Sequence, residues 1–456
     1  MANRLNVAIV GGGITGLALA IALSRNAPDL KVDIYEATPS FSSVGAGIGM
    51  WPRVREIVET YGLAEAFARY QVATPGIDSF FKWRRSDLRH GVALGRGQVG
   101  MRSYHRADLL QVLLEHVPPH YGTHFSKRLD SYVDDPDQDV VILRFADGTS
   151  ASCDILIGAD GIKSAVRRKM YTEMAEETQT EGNSDEQAQN LLSCITPVWS
   201  GERVYRHIIT RDDLVKSYPD HPSLSGPVQY IAAHRYLITY PISQGRAFNV
   251  GAFISYPERC GTIYEGPWVR EATQDEVLAE FAGFEPAGQA ILDLMIKPSL
   301  WAVNIVPPLP TYVSGRVALV GDAAHAMRPH QGAGAGQGIE DGFILAALLG
   351  SHAATRQTLT TALSVYDTIR RPVVEETSQR TIDMGLSLYL ERPWSTSHED
   401  LASTCEAEAH KFEEPDRVQA FEEAVSDLYG WLWYGSALPS RQQALDLLQA
   451  RIHDRE

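Results

Sequence analysis

The short, mostly apolar run Leu5-Asn6-Val7-Ala8-Ile9-Val10 leads straight into Gly11-Gly12-Gly13-Ile14-Thr15-Gly16. Such a run suits a strand covered on both faces. Leu17 to Ser24 is rich in Ala and Leu and predicts a helix. Lys31-Val32-Asp33-Ile34-Tyr35-Glu36 predicts the next strand. Together these segments form a βαβ unit of about 30 residues, which commits the N-terminal part to a parallel, helix-covered sheet. The turn glycines let backbone approach a pyrophosphate, and the helix start at Ile14 aims free N–H groups at it. Glu36 follows Gly16 by twenty residues and ends the second strand. A carboxylate there accepts hydrogen bonds from adenosine ribose hydroxyls. Gly11, Gly13, Gly16 and Glu36 therefore read as a dinucleotide site.

A second motif bears on which dinucleotide. Val317-Ala318-Leu319-Val320 predicts a buried strand, and Gly321-Asp322-Ala323-Ala324-His325 follows. Asp322 stands just past a strand end, where ligands bind in such sheets. It can hydrogen-bond ribityl hydroxyls, which a nicotinamide nucleotide lacks; a helix N-cap is its other reading. FAD is the expected cofactor, held non-covalently, since no His or Cys sits in a flavinylation context.

With these motifs the chain resembles the single-component FAD-dependent aromatic monooxygenases of the salicylate hydroxylase type, in the p-hydroxybenzoate hydroxylase superfamily. Ile157-Gly158-Ala159-Asp160-Gly161, His105-Arg106-Ala107-Asp108-Leu109 and the run Pro329-His330-Gln331-Gly332-Ala333-Gly334-Ala335-Gly336-Gln337-Gly338-Ile339-Glu340-Asp341 carry it further. The resemblance spans about residues 5–375. It implies an α/β protein: a Rossmann-like FAD-binding domain (1–75, 100–170, 305–370), an interleaved antiparallel-sheet substrate domain (76–99, 195–304) and C-terminal helices (371–456). Residues 172–190, acidic and poor in large apolar groups, read as a mobile insertion.

The resemblance also implies roles. Gly332, Gly334, Ala335 and Gly336 would offer amides and a helix N-terminus to the flavin ring, where negative charge develops on reduction. Arg106 would pair with the FAD phosphate region, and Asp160 would serve FAD and the nicotinamide approach. Gly47, in Gly45-Ala46-Gly47-Ile48-Gly49, would belong to a loop that leaves the flavin ring room to move. The chemistry implied runs through a C4a-hydroperoxyflavin made with NADH or NADPH and molecular oxygen. That site must be dry and must stabilise a phenolate. Arg206, Tyr240 and His330 are the candidate catalytic residues, with Tyr230, His207 and His234 behind them. The substrate is a small phenolic or hydroxybenzoate-type aromatic, hydroxylated with or without oxidative decarboxylation. Dearomatising hydroxylation, or flavin chemistry without oxygen insertion, are the alternatives.

Competing patterns are missing: no G-x-S-x-G, HExxH or Walker A loop occurs. Gly95-Arg96-Gly97-Gln98-Val99-Gly100 matches the dinucleotide letters, but no helix pattern follows, so a loop is expected. A net charge of −16 disfavours nucleic acid as a partner. Cys153, Cys194, Cys260 and Cys405 are scattered, which fits buried thiols and no metal site. No apolar run approaches the roughly 20 residues of a membrane span. The expectation is a cytoplasmic monomer or homodimer. Residues 139–158 predict a hairpin closed by Asp147-Gly148, and the chain after Thr358 predicts helices broken at Pro372, Pro393, Pro415 and Pro439.

Overall fold

The structure, a computed structural model, describes residues 5–41, 47–71, 80–98, 100–135, 138–181, 184–391 and 415–454. Its first sheet grows from the glycine turn. β1 (Asn6–Val10) pairs in parallel with β2 (Lys31–Tyr35) and β11 (Ile155–Gly158). β7 (Gly122–His124) and β19 (Val317–Leu319) extend it in parallel, and β18 (Val313–Ser314) adds an antiparallel edge. The order is β18-β19-β11-β1-β2-β7. Helices α1 (Ile14–Asn26) and α11 (Gly334–Leu349) pack side by side against it. The contact is close because both helices present small residues: a Cβ at Gly342 would stand 3.1 Å from Leu19 Cα. All but the first two residues of α11 are buried, as an apolar helix of this kind must be.

The second sheet has eight strands, ordered β16-β17-β12-β15-β14-β13-β4-β5. They are β4 (Phe80–Arg85), β5 (Val92–Gln98), β12 (Val198–Thr210), β13 (Val228–Ala232), β14 (Arg235–Ile242), β15 (Ala247–Ser255), β16 (Val269–Glu271) and β17 (Ser299–Ile305). Side chains alternate between its faces. Tyr205 and Leu237 enter the core under the short helices α7 (Arg211–Ser217), α8 (Gln274–Glu280) and α9 (Pro286–Leu292). Val204 and Tyr236 face the opposite way, toward Trp51 and the C-terminal helices. A small ladder of β3 (Gly47–Met50) and β6 (Arg102–His105) joins the two sheets. Its Ser103 hydroxyl donates to the Pro241 carbonyl at 2.7 Å, and its Gly47 N–H donates to Asn249 Oδ1 at 2.9 Å.

β8 (Leu129–Asp135), β9 (Val140–Phe145) and β10 (Ser150–Cys153) form a third sheet. The remaining helices are α2 (Pro52–Thr60), α3 (Ala64–Ala68), α4 (Arg106–His116), α5 (Ala165–Thr180), α6 (Asp185–Ser193), α10 (Asp322–His325), α12 (Leu359–Leu388), α13 (Pro415–Tyr434) and α14 (Leu438–His453). No helix among the described residues is long and apolar enough to cross a membrane.

Several expectations are corrected. Asp147-Gly148 closes a hairpin of β9 with β10, whereas Ile155-Leu156-Ile157 crosses into the parallel sheet beside β1. Of residues 172–190, expected as a mobile insertion, 172–180 continue α5 and 185–190 belong to α6. Buried Tyr171, Ala175 and Ala188 anchor the pair, a capping box at Ser184 starts α6, and the acidic groups face outward. Gly95-Arg96-Gly97-Gln98 is strand, not loop; it pairs in continuous register with Phe80–Trp83 of β4, and a Cβ at Gly97 would stand 2.5 Å from the Trp83 ring. Pro372 does not break α12, whose flanks are held by buried Ile369, Arg370 and Val374. Pro415 and Pro439 do open helices, and Pro393 lies outside the described residues. Cys260 is exposed rather than buried.

Candidate active site

A cleft of about 490 Å³ runs between the carboxyl ends of the parallel strands and the edge of the eight-stranded sheet. Gly13, Thr15, Arg106, Gly161, Asp322, Gly332, Gly334 and Ala335 form one wall. The turn before α1 is built from close approaches. Gly11 has φ +111°, and a Cβ there would stand 2.2 Å from the Ala159 carbonyl oxygen; one at Gly16 would stand 2.0 Å from that of Gly11. At Gly13, which caps α1, nothing lies within 4 Å, so the cradle opens there on backbone N–H groups. Arg106 opens α4 with its buried Nε unpartnered. An open amide cradle and a half-buried guanidinium whose Nε lacks a partner fit a pyrophosphate. Glu36 accepts from Gly12 N at 2.9 Å through Oε2, and from Thr38 N at 2.9 Å and Thr38 Oγ1 at 2.7 Å through Oε1. With two lone pairs per oxygen, Oε2 retains room for a ribose hydroxyl.

Asp160 is engaged within its own segment. Its carboxylate accepts from Ser164 Oγ at 2.5 Å, Ala165 N at 2.7 Å and Val166 N at 3.2 Å, so it caps the start of α5, between Ala159 and Gly161 of the cleft wall. Burial pushes its carboxyl above the usual range although those bonds oppose the shift. Asp322, the first residue of α10, lines the cleft with an exposed side chain. The turn before it is held from behind: Gly321 N donates to Asp341 Oδ2 at 2.8 Å. Asp341 also bonds His325 Nε2 at 2.6 Å and Arg370 Nε at 2.8 Å. Burial would raise its carboxyl, but His325, Arg370 and the Gly321 amide outweigh that and hold it at about 2.

A second cavity of about 130 Å³ adjoins the cleft, sharing Gly47, Arg206, Pro329 and Gly332 with it. A space of about 150 Å³ holds a benzene ring, so this one is on the scale of a single ring. Its walls are mostly aromatic and apolar: Trp51, Phe81, Met101, Ile238, Phe253 and Tyr429. Its polar groups are few. Arg206 from β12 lies over Trp301 at 5.0 Å from the ring centroid, and burial lowers its pKa. No carboxylate pairs with it among the described residues. Tyr240 from β14 stands beside Asn249 and Arg206; burial lifts its phenol to about 12 against both. The ring of Tyr240 packs so tightly on Gly47 that a Cβ there would stand 2.6 Å from it.

His330 is buried in the same wall with both ring nitrogens engaged. Nδ1 meets the Tyr236 hydroxyl at 2.8 Å and Nε2 meets Glu202 Oε2 at 3.1 Å. Glu202, fully buried, also pairs with Arg328. Burial works to raise its carboxyl, but His330 and Arg328 prevail and lower it. With a carboxylate accepting at Nε2, Nε2 carries the proton and Nδ1 accepts from Tyr236. The structure thus brings Arg206, Tyr240 and His330 together. It leaves Tyr230 on the far face, facing His221, and His234 on the surface against Glu391. His207 lines neither space. Glu202, Tyr236, Asn249 and Tyr429 are site residues the sequence reading passed over. Only Glu202 left a trace, as an acid within a strand.

A dinucleotide cradle opening on a ring-sized cavity with mostly aromatic and apolar walls is the plan of a flavoprotein that oxidises aromatic compounds. The comparisons agree. Residues 4–241 and 299–381 match the FAD binding domain family. A salicylate hydroxylase of Pseudomonas putida is 38% identical over 440 residues, 94% of this chain and 91% of that protein. A 6-methylsalicylate 1-monooxygenase of Aspergillus terreus is 33% identical over 382 residues, 81% of this chain and 79% of that one. The solved structure of a salicylate hydroxylase substrate complex superposes with a TM-score of 0.79 at 28% identity, covering 97% of this chain and 98% of that chain. The chain belongs to this FAD-binding family, as a flavoprotein monooxygenase of the salicylate hydroxylase type.

Proposed function

We propose that the protein hydroxylates an ortho-hydroxybenzoate at the carbon bearing the carboxylate, consuming NADH or NADPH. The observation that carries this is Arg206: a cation without a carboxylate partner among the described residues, at the junction of the ring-sized cavity and the cleft. The relatives support it, since two are salicylate hydroxylases and one a 6-methylsalicylate 1-monooxygenase by name. The balance is hydroxybenzoate anion + O2 + NAD(P)H + 2 H+ → dihydroxybenzene + CO2 + NAD(P)+ + H2O.

FAD would lie with its pyrophosphate at Gly11, Gly13, Gly16 and Arg106, its adenosine ribose at Glu36, its ribityl chain at Asp322 and its ring edge at Gly332, Gly334 and Ala335. When bound, it carries electrons from the nicotinamide to oxygen and makes one oxygen atom electrophilic. The chain's own residues do the rest. Arg206 holds the substrate anion, and the Tyr240 hydroxyl hydrogen-bonds its ring oxygen. His330 offers its ring face, its nitrogens being fixed by Tyr236 and Glu202. Trp51, Phe253 and Tyr429 exclude the water that would waste the oxidant. The test is NAD(P)H consumption by the FAD-loaded enzyme with a panel of hydroxybenzoates and phenols, with product mass and CO2 recorded. An ortho-hydroxybenzoate should give a dihydroxybenzene and one CO2 per NAD(P)H. A hydroxylated product that keeps its carboxylate rejects the decarboxylating step, and NAD(P)H consumption without a ring product rejects oxygen insertion.

A further inference from the structure

The cleft's other wall is the edge of the eight-stranded sheet. Trp268 stands just before the edge strand β16, held by the Ala302 N–H, which donates to its carbonyl at 2.8 Å. Val269 pairs with Trp301 on β17 and is 45% exposed, while both indoles are partly exposed. A partly exposed aromatic and apolar rim of this kind marks a contact surface. A cation lies over it: Lys163 Nζ is 4.2 Å from the Trp268 ring centroid. Lys163 is exposed, forms no ion pair among the described residues, and comes from the segment after Gly161, which belongs to the opposite wall. The Lys163–Trp268 contact therefore joins the two walls on the solvent side of the cleft.

A flat aromatic face beside an unpaired ammonium is the chemistry that takes a nucleotide: a ring to stack and a phosphate to neutralise. We propose that Trp268 and Lys163 dock the nicotinamide dinucleotide. A ring of the dinucleotide takes the ammonium's place on the indole, and the ammonium turns to the pyrophosphate. This rests on the donor reading above and adds the place where the donor binds. Three features favour that occupant. Trp268 lines the same cleft as Gly332 and Ala335, where a hydride donor must lie to meet the flavin ring. At a net charge of −16 the chain does not attract a dianion from afar, so a local cation is needed. The sequence contains no second strand–glycine–helix unit, and a small exposed platform suits a donor that binds and leaves in each cycle.

The test measures dissociation constants of NAD+ and NADP+ by calorimetry on the FAD-loaded enzyme, and reduction of its flavin by NADH and NADPH in stopped flow. Trp268→Ala should weaken the preferred dinucleotide about tenfold, within the roughly 5- to 150-fold range of base–aromatic stacking. Trp268→Phe should recover most of the loss. Lys163→Ala, a surface change that leaves folding intact, should weaken binding a few-fold and flatten its salt dependence. FAD content and the aromatic substrate's dissociation constant should not move. Unchanged dinucleotide constants in both alanine variants overturn the site. A slower limiting reduction at unchanged dinucleotide affinity assigns Trp268 to the flavin ring and overturns it as well. A wild-type enzyme that oxidises neither dinucleotide overturns the donor reading itself, and this site falls with it.

Discussion

A half-buried guanidinium without a carboxylate partner among the described residues keeps a desolvation cost that an incoming anion offsets. Arg206 is in that position, resting on the Trp301 face at 5.0 Å and sharing its cavity with Tyr240. Its charge-assisted bonds to an anionic substrate should contribute about 1.5–3 kcal/mol. Arg206→Ala should lower kcat/KM at least about tenfold and raise NAD(P)H consumed per product, while FAD retention stays normal. Normal coupling and kcat/KM would remove Arg206 from the substrate. Glu202 poses the reverse problem, an acid fully buried between His330 and Arg328. Glu202→Gln leaves the Arg328 guanidinium without its counter-charge and should cost about 3–5 kcal/mol in denaturant unfolding, as broken buried pairs do. The sequence suggested Arg206 and His330 because each stands in a segment whose pattern is distinctive. It did not suggest Tyr236 or Asn249. Each is one residue of an ordinary alternating strand, and only the pairing of β14 with β15 decides which side faces the cavity.

At the scale of elements, legibility follows from how local the physics is. The β1–α1–β2 unit was readable because its turn glycines, helix and second strand lie within one stretch of sequence. The partner of Ile155-Leu156-Ile157 was not, since its choice between β9 and β1 depends on strands remote in the chain. The acidic stretch read as loose because composition reports its outward face, while a few buried residues make it helical. α13 is the least legible part of the site. Its Tyr429 caps the cavity, stacked on Trp433 at 5.6 Å and tilted on Trp51 at 5.2 Å, with its hydroxyl donating to the His330 carbonyl at 3.1 Å. Tyr429→Ala should cost about 3 kcal/mol from cavity formation and admit water. Product formed per NAD(P)H should fall while FAD stays bound. Tyr429→Phe keeps the ring and should lose only about 1 kcal/mol for its one hydrogen bond. Equal coupling in the two variants would show that the ring does not seal the cavity.

Across the whole molecule, one buried ion network ties the cofactor turn to the helices behind it. Arg53 of α2 bonds Glu340 at 2.8 Å, Arg370 of α12 bonds Glu340 at 3.1 Å and Asp341 at 2.8 Å, and Asp341 reaches His325 and the Gly321 amide. Arg53 also donates to the Ser436 carbonyl at 2.8 Å, so the junction of α13 and α14 is included. This network makes stability depend on pH in a definite direction. In the folded chain Asp341 stays ionised down to about pH 2, whereas unfolded it takes up its proton at the ordinary 3.8. Its contribution is complete above about pH 4 and is lost as the pH falls from there to about 2. A shift of that size is on the order of 2 kcal/mol. Asp341→Asn carries no such charge at any pH. It should be clearly less stable than the natural chain at pH 5 and approach it by on the order of 2 kcal/mol near pH 2. Other carboxylates titrate in both chains and drop out of the difference, so the gap isolates Asp341. Urea unfolding of both chains at fixed FAD concentration, from pH 5 to pH 2, measures it. A gap that stays constant over that range would show that the charge of Asp341 does not stabilise the fold, leaving the Gly321 turn to be held by its hydrogen bonds alone.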